Sequence, residues 1–472
     1  MILEQIYTGC LAQGAYYIES NGEALVIDPL RETKEYIDKA KKNKAKIKYV
    51  LETHFHADFV SGHVDLASKT GASIVFGPNA SPTFSAHIAK DGEELILGDL
   101  RIKVLHTPGH TMESTTYLLF DENGKEHAIF TGDTLFIGDV GRPDLAAKSD
   151  LTKEDLASHL FDSLREKVMT LPDDVIVYPA HGAGSACGKN MSKETWDSLG
   201  NQKKNNYALR ADMNREEFIK EVTNGLLPPP PYFPLNVGMN KTGYDSFDTV
   251  MKRGLVGLNP AEFEAAANAT SALILDTRDP NEFAKGFIPN SIFIGIDGAF
   301  APWVGTLIPD IKQEILIIAE EGREKEVITR LSRVGHDNTI GFLKGGFQSW
   351  KNAQFEIDSI ENISAIRFEK LFNEGGLKVV DVRKETEYAI GHLENAQLLP
   401  LNSLNQEIAS FPMGGVKTFI HCAGGYRSVI AASMLKSRGY TGLVNVEGGF
   451  SEIKKTGLKI QLSAGATTCS NS

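Results

Sequence analysis

The chain has 472 residues, 42% of them hydrophobic and 23% charged, with a formal net charge of −12. That length holds two to four domains with proper cores, and the composition is ordinary for soluble globular proteins. The acidic balance argues against nucleic acid and anionic membrane surfaces as partners, since both need basic patches. No apolar run approaches a membrane span, and the amino terminus, Met1-Ile-Leu-Glu-Gln5, lacks the basic lead of a secretory signal. Four cysteines, at 10, 187, 422 and 469, show no framework spacing, so a reducing cytoplasmic location is expected.

In chain order, Gly14 to Ile18 and Ala24 to Asp28 read as strands joined by the hairpin signal Ser20-Asn-Gly22, with Cys10 as a packing residue in this β region. A helix follows from Thr33 through Lys42, and the lysine run Lys39, Lys41, Lys42, Lys44, Lys46, Lys48 reads as its solvated end. The apolar run Ile47, Tyr49, Val50, Leu51 then leads into Thr53-His-Phe-His-Ala-Asp-Phe-Val-Ser-Gly-His63, with His54, His56 and Asp58 at alternate positions. Helical character returns over Val64 to Thr70, which gives the β and α alternation of a layered sandwich.

Three further apolar runs end in the same way. Leu100 to Leu105 leads to Thr107-Pro-Gly-His110, Ala128 to Thr131 leads to Gly132-Asp133, and Val175 to Tyr178 leads to Pro179-Ala-His181. Imidazole and carboxylate groups delivered to one edge of a sheet form a metal site in the cleft where α/β folds place ligands.

The motifs THFHAD, TPGH, TGD and YPAH, in this order, resemble the metallo-β-lactamase fold, an αββα sandwich, over about the first half of the chain. Dinuclear hydrolases of that fold carry a second histidine directly after the Asp of HxHxD, whereas this chain has Phe59 there. A phenyl ring cannot ligate a metal, so one metal is expected. Two histidines and one carboxylate match the facial triad of non-haem Fe(II) oxygenases. Within this fold the pattern resembles persulfide dioxygenases. That resemblance implies His54, His110 and Asp133 as ligands of one Fe(II) per chain, with His56, Asp58 and His181 behind them, orienting ligands or water.

The segment Leu135 to Leu145 is loop-like and carries Arg142 and Asp144, which match the GRxD stretch lining the thiol pocket in that family. Arg142 reads either as a forked partner for an anionic substrate or as half of a loop salt bridge. Cys187, in the small-residue loop Gly182 to Lys189, reads either as a persulfide carrier at the substrate site or as a packing residue. A Pro-rich stretch beginning at Asn224-Gly-Leu-Leu-Pro reads as a semi-rigid spacer, residues 224–243, which closes a first domain of residues 1–243.

The remainder repeats itself. Leu275-Asp-Thr-Arg278 returns as Val380-Asp-Val-Arg383, and Lys344-Gly-Gly-Phe347 as Glu447-Gly-Gly-Phe450, which predicts two α/β domains of one fold over 244–356 and 357–461 and a flexible tail at 462–472. In the second, His421-Cys-Ala-Gly-Gly-Tyr-Arg-Ser428 lies between a strand, Lys417 to Ile420, and a helix, Val429 to Arg438. A cysteine at a strand end, in a glycine-rich loop opening a helix, faces backbone N–H groups that, with Arg427, stabilise an anion on sulfur.

With the flanking VDVR and EGGF, this loop resembles that of a rhodanese sulfurtransferase, which implies Cys422 as the residue that carries sulfur and Arg427 as its catalytic partner. Ala423, Gly424, Gly425, Tyr426 and Ser428 form the cradle. Cysteine phosphatases usually place five residues between Cys and Arg, while here Ala423 to Tyr426 supply four. The first repeat has Ala-Glu-Glu-Gly-Arg-Glu at 319–324 and no cysteine, so it reads as a scaffold or an oligomer contact.

Together the motifs resemble fusions of a persulfide dioxygenase with two rhodanese-like domains. The implied reaction is oxidation of a low-molecular-weight thiol persulfide by O2 to sulfite and thiol, with Cys422 transferring sulfane sulfur and sulfite or thiosulfate as reactant or product. A dinuclear zinc thioester hydrolase of the glyoxalase II type, with separate sulfur transfer, is the alternative reading, and Phe59 speaks against it. A non-catalytic sulfur carrier is a third, and the intact set His54, His110, Asp133 speaks against that.

Overall fold

Strand β2 (Gln13–Ser20) is buried along its whole length, so its two faces must each meet a separate apolar layer. Ala15 and Tyr17 pack with Tyr36, Ala40 and Leu66 of the helices Lys34–Asn43 and His63–Thr70. Tyr16 and Ile18 pack instead against Tyr117, Leu119 and Phe130 of a second sheet. The computed structural model describes residues 1–412 and 417–462, so the expected tail and Cys469 lie outside the described residues apart from Leu462.

The chain divides into two compact units, Met1–Thr249 with Ser332–Gly335, and Val250–Leu331 with His336–Ser472. In the first, β1 (Ile2–Thr8), β2, β3 (Glu23–Ile27), β4 (Lys46–Leu51), β5 (Ser73–Phe76) and β6 (His87–Ile88) form one sheet in that order. The second sheet contains β7 (Glu94–Leu97), β8 (Leu100–His106), β9 (Thr115–Phe120), β10 (Glu126–Gly132), β11 (Ile176–Pro179) and β12 (Asp197–Ser198) in reverse order. Its outer face, Leu118, Phe120, Ile129 and Val177, is covered by Leu160 and Leu164, and by Phe218 and Val222 of the helix Arg215–Thr223. The result is the expected αββα sandwich. The hairpin between β2 and β3 turns at Asn21 and Gly22, both with positive φ, as the strand twist requires.

Two elements correct the sequence reading. Cys10 lies in the turn between β1 and β2, partly exposed, because chain reversal takes up residues 9–12. Residues 224–243 are not a spacer throughout, since Phe233–Thr242 is a helix with Phe233, Asn236 and Asn240 buried. Pro234 sits in its first turn, where a missing N–H costs no helical hydrogen bond.

In the second unit each repeat has a parallel five-stranded sheet. The order by residue is 257–258, 339–343, 315–318, 273–276, 292–293 in one, and 361–363, 443–446, 418–421, 378–381, 397–398 in the other. The two orders are the same topology. The repeated motifs are also one contact. Arg278 bonds Asp276 and the Gly286 carbonyl while lying 4.1 Å over the Phe347 ring. Arg383 does likewise with Asp381, Gly391 and Phe450, at 3.7 Å.

Tyr426 joins the repeats. Its hydroxyl donates to the Gly295 carbonyl at 2.7 Å, and its ring fills the space over Gly298, where an added Cβ would fall 2.3 Å from Cζ. Gly298→Ala therefore has to expel Tyr426. The expected loss is about 1–3 kcal/mol, the usual scale of overpacking, read as a lower urea midpoint. A midpoint equal to wild type would show that the ring relocates without cost.

Candidate metal centre and cysteine loop

Because β8 and β10 both run antiparallel to β9, and β11 runs parallel to β10, their carboxyl ends share one edge. That edge carries His110, Asp133 and His181. Pairing of Gly132 with Pro179 sets Asp133 and His181 side by side. The loop after β4 brings His54, His56 and Asp58 to the same place, and all of these side chains are buried. Gly132, at φ 53°, lets the TGD turn pass Thr53, since a Cβ there would lie 2.6 Å from Thr53 Oγ1.

Two triads result. His54, His110 and Asp133 can direct one ligand atom each to a common point, as can His56, Asp58 and His181. In the first, Asp133 Oδ2 lies 3.4 Å from His110 Nε2 and 3.9 Å from His54 Nε2, and no hydrogen-bond donor reaches it. A buried carboxylate oxygen without a donor, facing two imidazole nitrogens, is a donor set that fits a metal cation. The outer nitrogens of these rings are fixed. His54 Nδ1 is 3.0 Å from Thr53 Oγ1, itself bonded to Asp28, and His110 Nδ1 is 2.9 Å from the Arg142 carbonyl. Such partners set the tautomer that leaves Nε2 free to ligate. Gly141 permits the approach of that segment, because a Cβ would stand 2.0 Å from the Asp133 carbonyl oxygen.

The second triad is otherwise engaged. His56 Nε2 lies 3.1 Å from Asp28 Oδ1, and the ring packs on Phe59 with centroids 4.3 Å apart. Phe59 is fully buried and also borders His181, at 6.2 Å. His181 places Nδ1 2.8 Å from Asp133 Oδ1 and Nε2 2.9 Å from Asp58 Oδ2. Burial works against charge on either Asp133 or His181. The histidines nevertheless hold the Asp133 carboxyl well below the usual range, and Asp133 and Asp58 raise His181 well above its own. His54 is pushed down, by burial first and then by His56.

The other expected site residues of this unit surround the triads. Arg142 is engaged inside the fold: it forks onto Asp144 at 2.6 and 2.7 Å and donates to the Leu227 and Ala186 carbonyls. Cys187 is buried with its thiol pushed up by burial and by the nearby Asp58 and Asp133, and it shares a possible ligand group with Asp133 and His181. Residues that motif reading missed include Asp28, the anchor of Thr53 and His56, and Asn240, which donates to the His56 and Phe59 carbonyls. Asp28 stands at positive φ, 49°, a strained position for a residue other than glycine, which is a signal visible only in the backbone.

In the second unit, Cys422 directly follows the strand Thr418–His421, and Gly425 caps the helix Tyr426–Lys436. The strand lies one residue beyond its expected limits, and the helix starts and ends earlier than expected. Gly425 N–H donates to Cys422 Sγ at 3.1 Å, and the Ser428 hydroxyl lies 3.6 Å from it. The Phe450 and Ser451 N–H groups hold the Cys422 and Ala423 carbonyls, so the EGGF motif braces the loop from behind.

The corresponding place in the first repeat, after the strand Ile315–Ile318, is Ala319, and Arg323 there pairs with Asp297 and Glu326. That loop offers no sulfur nucleophile. Arg427, in the cysteine loop of the second repeat, forks onto Glu387, at 2.6 and 2.8 Å.

These two sites define a class: a buried candidate metal site on an αββα sandwich, with a cysteine loop on a tandem α/β repeat. The metallo-beta-lactamase superfamily model matches residues 8–181, and the rhodanese-like domain model matches 259–353 and 364–456. The persulfide dioxygenase, mitochondrial, of Mus musculus is 30% identical over 220 residues, 46% of this chain and 78% of that protein. The cytoplasmic hydroxyacylglutathione hydrolase of Arabidopsis thaliana is 34% identical over 177 residues, and the chain spans 36% of itself and 65% of that relative. A crystal structure of a metallo-beta-lactamase from Staphylococcus aureus subsp. aureus COL is 30% identical with a TM-score of 0.64, covering 73% of this chain and 98% of that one. The chain belongs to the metallo-β-lactamase superfamily, and its sandwich is followed by two rhodanese-like domains. Among the described residues, no helix is long and apolar enough to cross a membrane.

The Arg427–Glu387 fork makes a pH prediction. Hydrogen bonding from Arg427 holds the Glu387 carboxyl down to about 2, below an unfolded value of about 4.3. A depressed carboxylate contributes stability above the unfolded pKa and loses it as pH falls through the folded one. The stability difference between wild type and Glu387→Gln should therefore hold steady above about pH 5 and vanish toward pH 2, measured by urea unfolding across a pH series. A difference independent of pH would remove the ion pair as its source.

Proposed function

We propose that the first unit is an Fe(II)-dependent persulfide dioxygenase and that Cys422 is the sulfur carrier of a sulfurtransferase, serving sulfide detoxification. One observation carries the choice over a dinuclear hydrolase: the buried Phe59 ring stands against His56 and beside His181, while His56 Nε2 faces Asp28. That arrangement supports one metal on His54, His110 and Asp133, with open positions for substrate and O2. Bound there, Fe(II) would supply the O2 chemistry.

The balanced reaction takes one thiol persulfide, one O2 and one water to one thiol and one sulfite with two protons. The chain's part is to exclude bulk water, since all of the ligands are buried, and to fix the imidazoles through Thr53 and the Arg142 carbonyl. His181, between Asp133 and Asp58, is placed to hold the position of Asp133. In the second unit the Cys422 thiolate attacks the terminal sulfur of a persulfide, the S–S bond breaks, and the thiol leaves with its electron pair. Sulfite then takes the sulfane sulfur as thiosulfate and returns Cys422 as thiolate. Gly425 N–H and the Ser428 hydroxyl face the charge that develops on sulfur.

The hydrolase reading keeps one supporting observation, the second convergent triad His56, Asp58, His181. Metal analysis after anaerobic purification, followed by O2 uptake with a small-thiol persulfide and cleavage of a lactoyl thioester, separates the two. We expect about one iron per chain and persulfide-dependent O2 uptake. Two zinc ions with thioester cleavage and no O2 uptake would replace the dioxygenase with the hydrolase. Cys422→Ser should abolish sulfur transfer and leave O2 uptake near the wild-type rate. Transfer that survives the substitution would move the sulfur carrier to another cysteine.

A further inference from the structure

The loop that delivers His54, His56 and Asp58 has no regular structure between β4 and the helix His63–Thr70, yet it is buried throughout. Buried backbone groups need partners, and an unmet one costs about 1–3 kcal/mol. Part of what this loop lacks comes from a stretch of chain far away in sequence. Asn240 Nδ2 donates to the His56 carbonyl and to the Phe59 carbonyl, each at 2.8 Å, and its Oδ1 accepts from Ser61 N–H, also at 2.8 Å. The side chain is itself buried, so one amide bridges both sides of Asp58.

The helix that bears Asn240 is held at its carboxyl end. Thr83 donates its N–H to the Lys241 carbonyl and its hydroxyl to the Thr242 carbonyl. Just upstream, the Leu227 carbonyl accepts from Arg142, whose own carbonyl faces His110 Nδ1. Between them Tyr232 is buried close enough to Asp58 and Cys187 that burial first, and then those two groups, push its phenol well above the usual range.

We propose that residues 227–242 are a clasp over the metal centre and that Asn240 is its positioning residue, fixing the backbone of the ligand loop so that His54 is presented to the metal. The inference rests on the metal-centre reading of the first unit, but not on which reaction that metal performs. A carboxamide suits the task because it combines an acceptor for one N–H with donors for two carbonyls. A carboxylate of the same size would confront both carbonyls with negative charge.

The test is metal affinity of the full-length chain, measured by chelator competition with Fe(II) under anaerobic conditions and separately with Zn(II). Asn240→Ala should weaken both by about 10–100-fold, the scale of losing an outer-shell partner, and Asn240→Asp by at least as much. Val222→Ala, a core truncation in the helix Arg215–Thr223, controls for general loss of stability. It should lower the thermal midpoint and leave both affinities within about twofold of wild type, as expected for a site without shared partners. The proposal is overturned if Asn240→Ala and Asn240→Asp bind metal as tightly as wild type, or if Val222→Ala loses affinity in parallel with them. A wild-type chain that binds neither metal would overturn the metal-centre reading itself.

Discussion

Six imidazole and carboxylate side chains meet at one edge of the sandwich, all of them buried. Groups of this kind persist away from water only when paired, hydrogen-bonded or bound to a cation. Much of the first unit answers that demand. Asp28 receives Thr53 and faces His56, His181 bridges Asp133 and Asp58, and the Arg142 carbonyl fixes His110. The apolar sheets around them supply rigidity, while the polar network selects which atoms remain available to a ligand.

Sequence reading recovered the parts of this arrangement that are local. His54, His110, Asp133 and His181 each lie within a few residues of a strand end, and strands buried on one or both faces leave a clear apolar pattern, as in β8 and β10. The tandem repeat was legible for the same reason, because its motifs recur inside single elements. What escaped was pairing across sequence distance. Nothing near Asn240 marks it as the partner of His56, and the prolines before Phe233 suggested a spacer although Pro234 merely opens a helix. Arg142 was legible as an arginine near Asp133, but not as one already engaged by Asp144 and two carbonyls.

The cysteine loop presents a similar contrast. Its composition announced a cradle for sulfur, and Gly425 and Ser428 do approach Cys422. The partner of Arg427 was not announced. Glu387 lies in the helix Glu385–Ile390, just beyond the VDVR motif, and offsets the charge that the loop would otherwise present to an anion. A residue type in a motif thus indicates what a side chain is capable of, whereas its neighbours decide how much of that capacity is free.

The stacked pairs Arg278–Phe347 and Arg383–Phe450 lead to a broader consequence. One repeat has a cysteine at the mouth of its central strand and the other has alanine, yet both keep the same strand order and the same arginine-on-ring brace. The molecule therefore carries its own control experiment. Features shared by the two halves are those that the architecture demands, and features confined to one half are those that chemistry demands. By that internal subtraction the brace belongs to folding, while Cys422, with the serine that follows it in the loop, is confined to one half and is where chemistry peculiar to that half would lie.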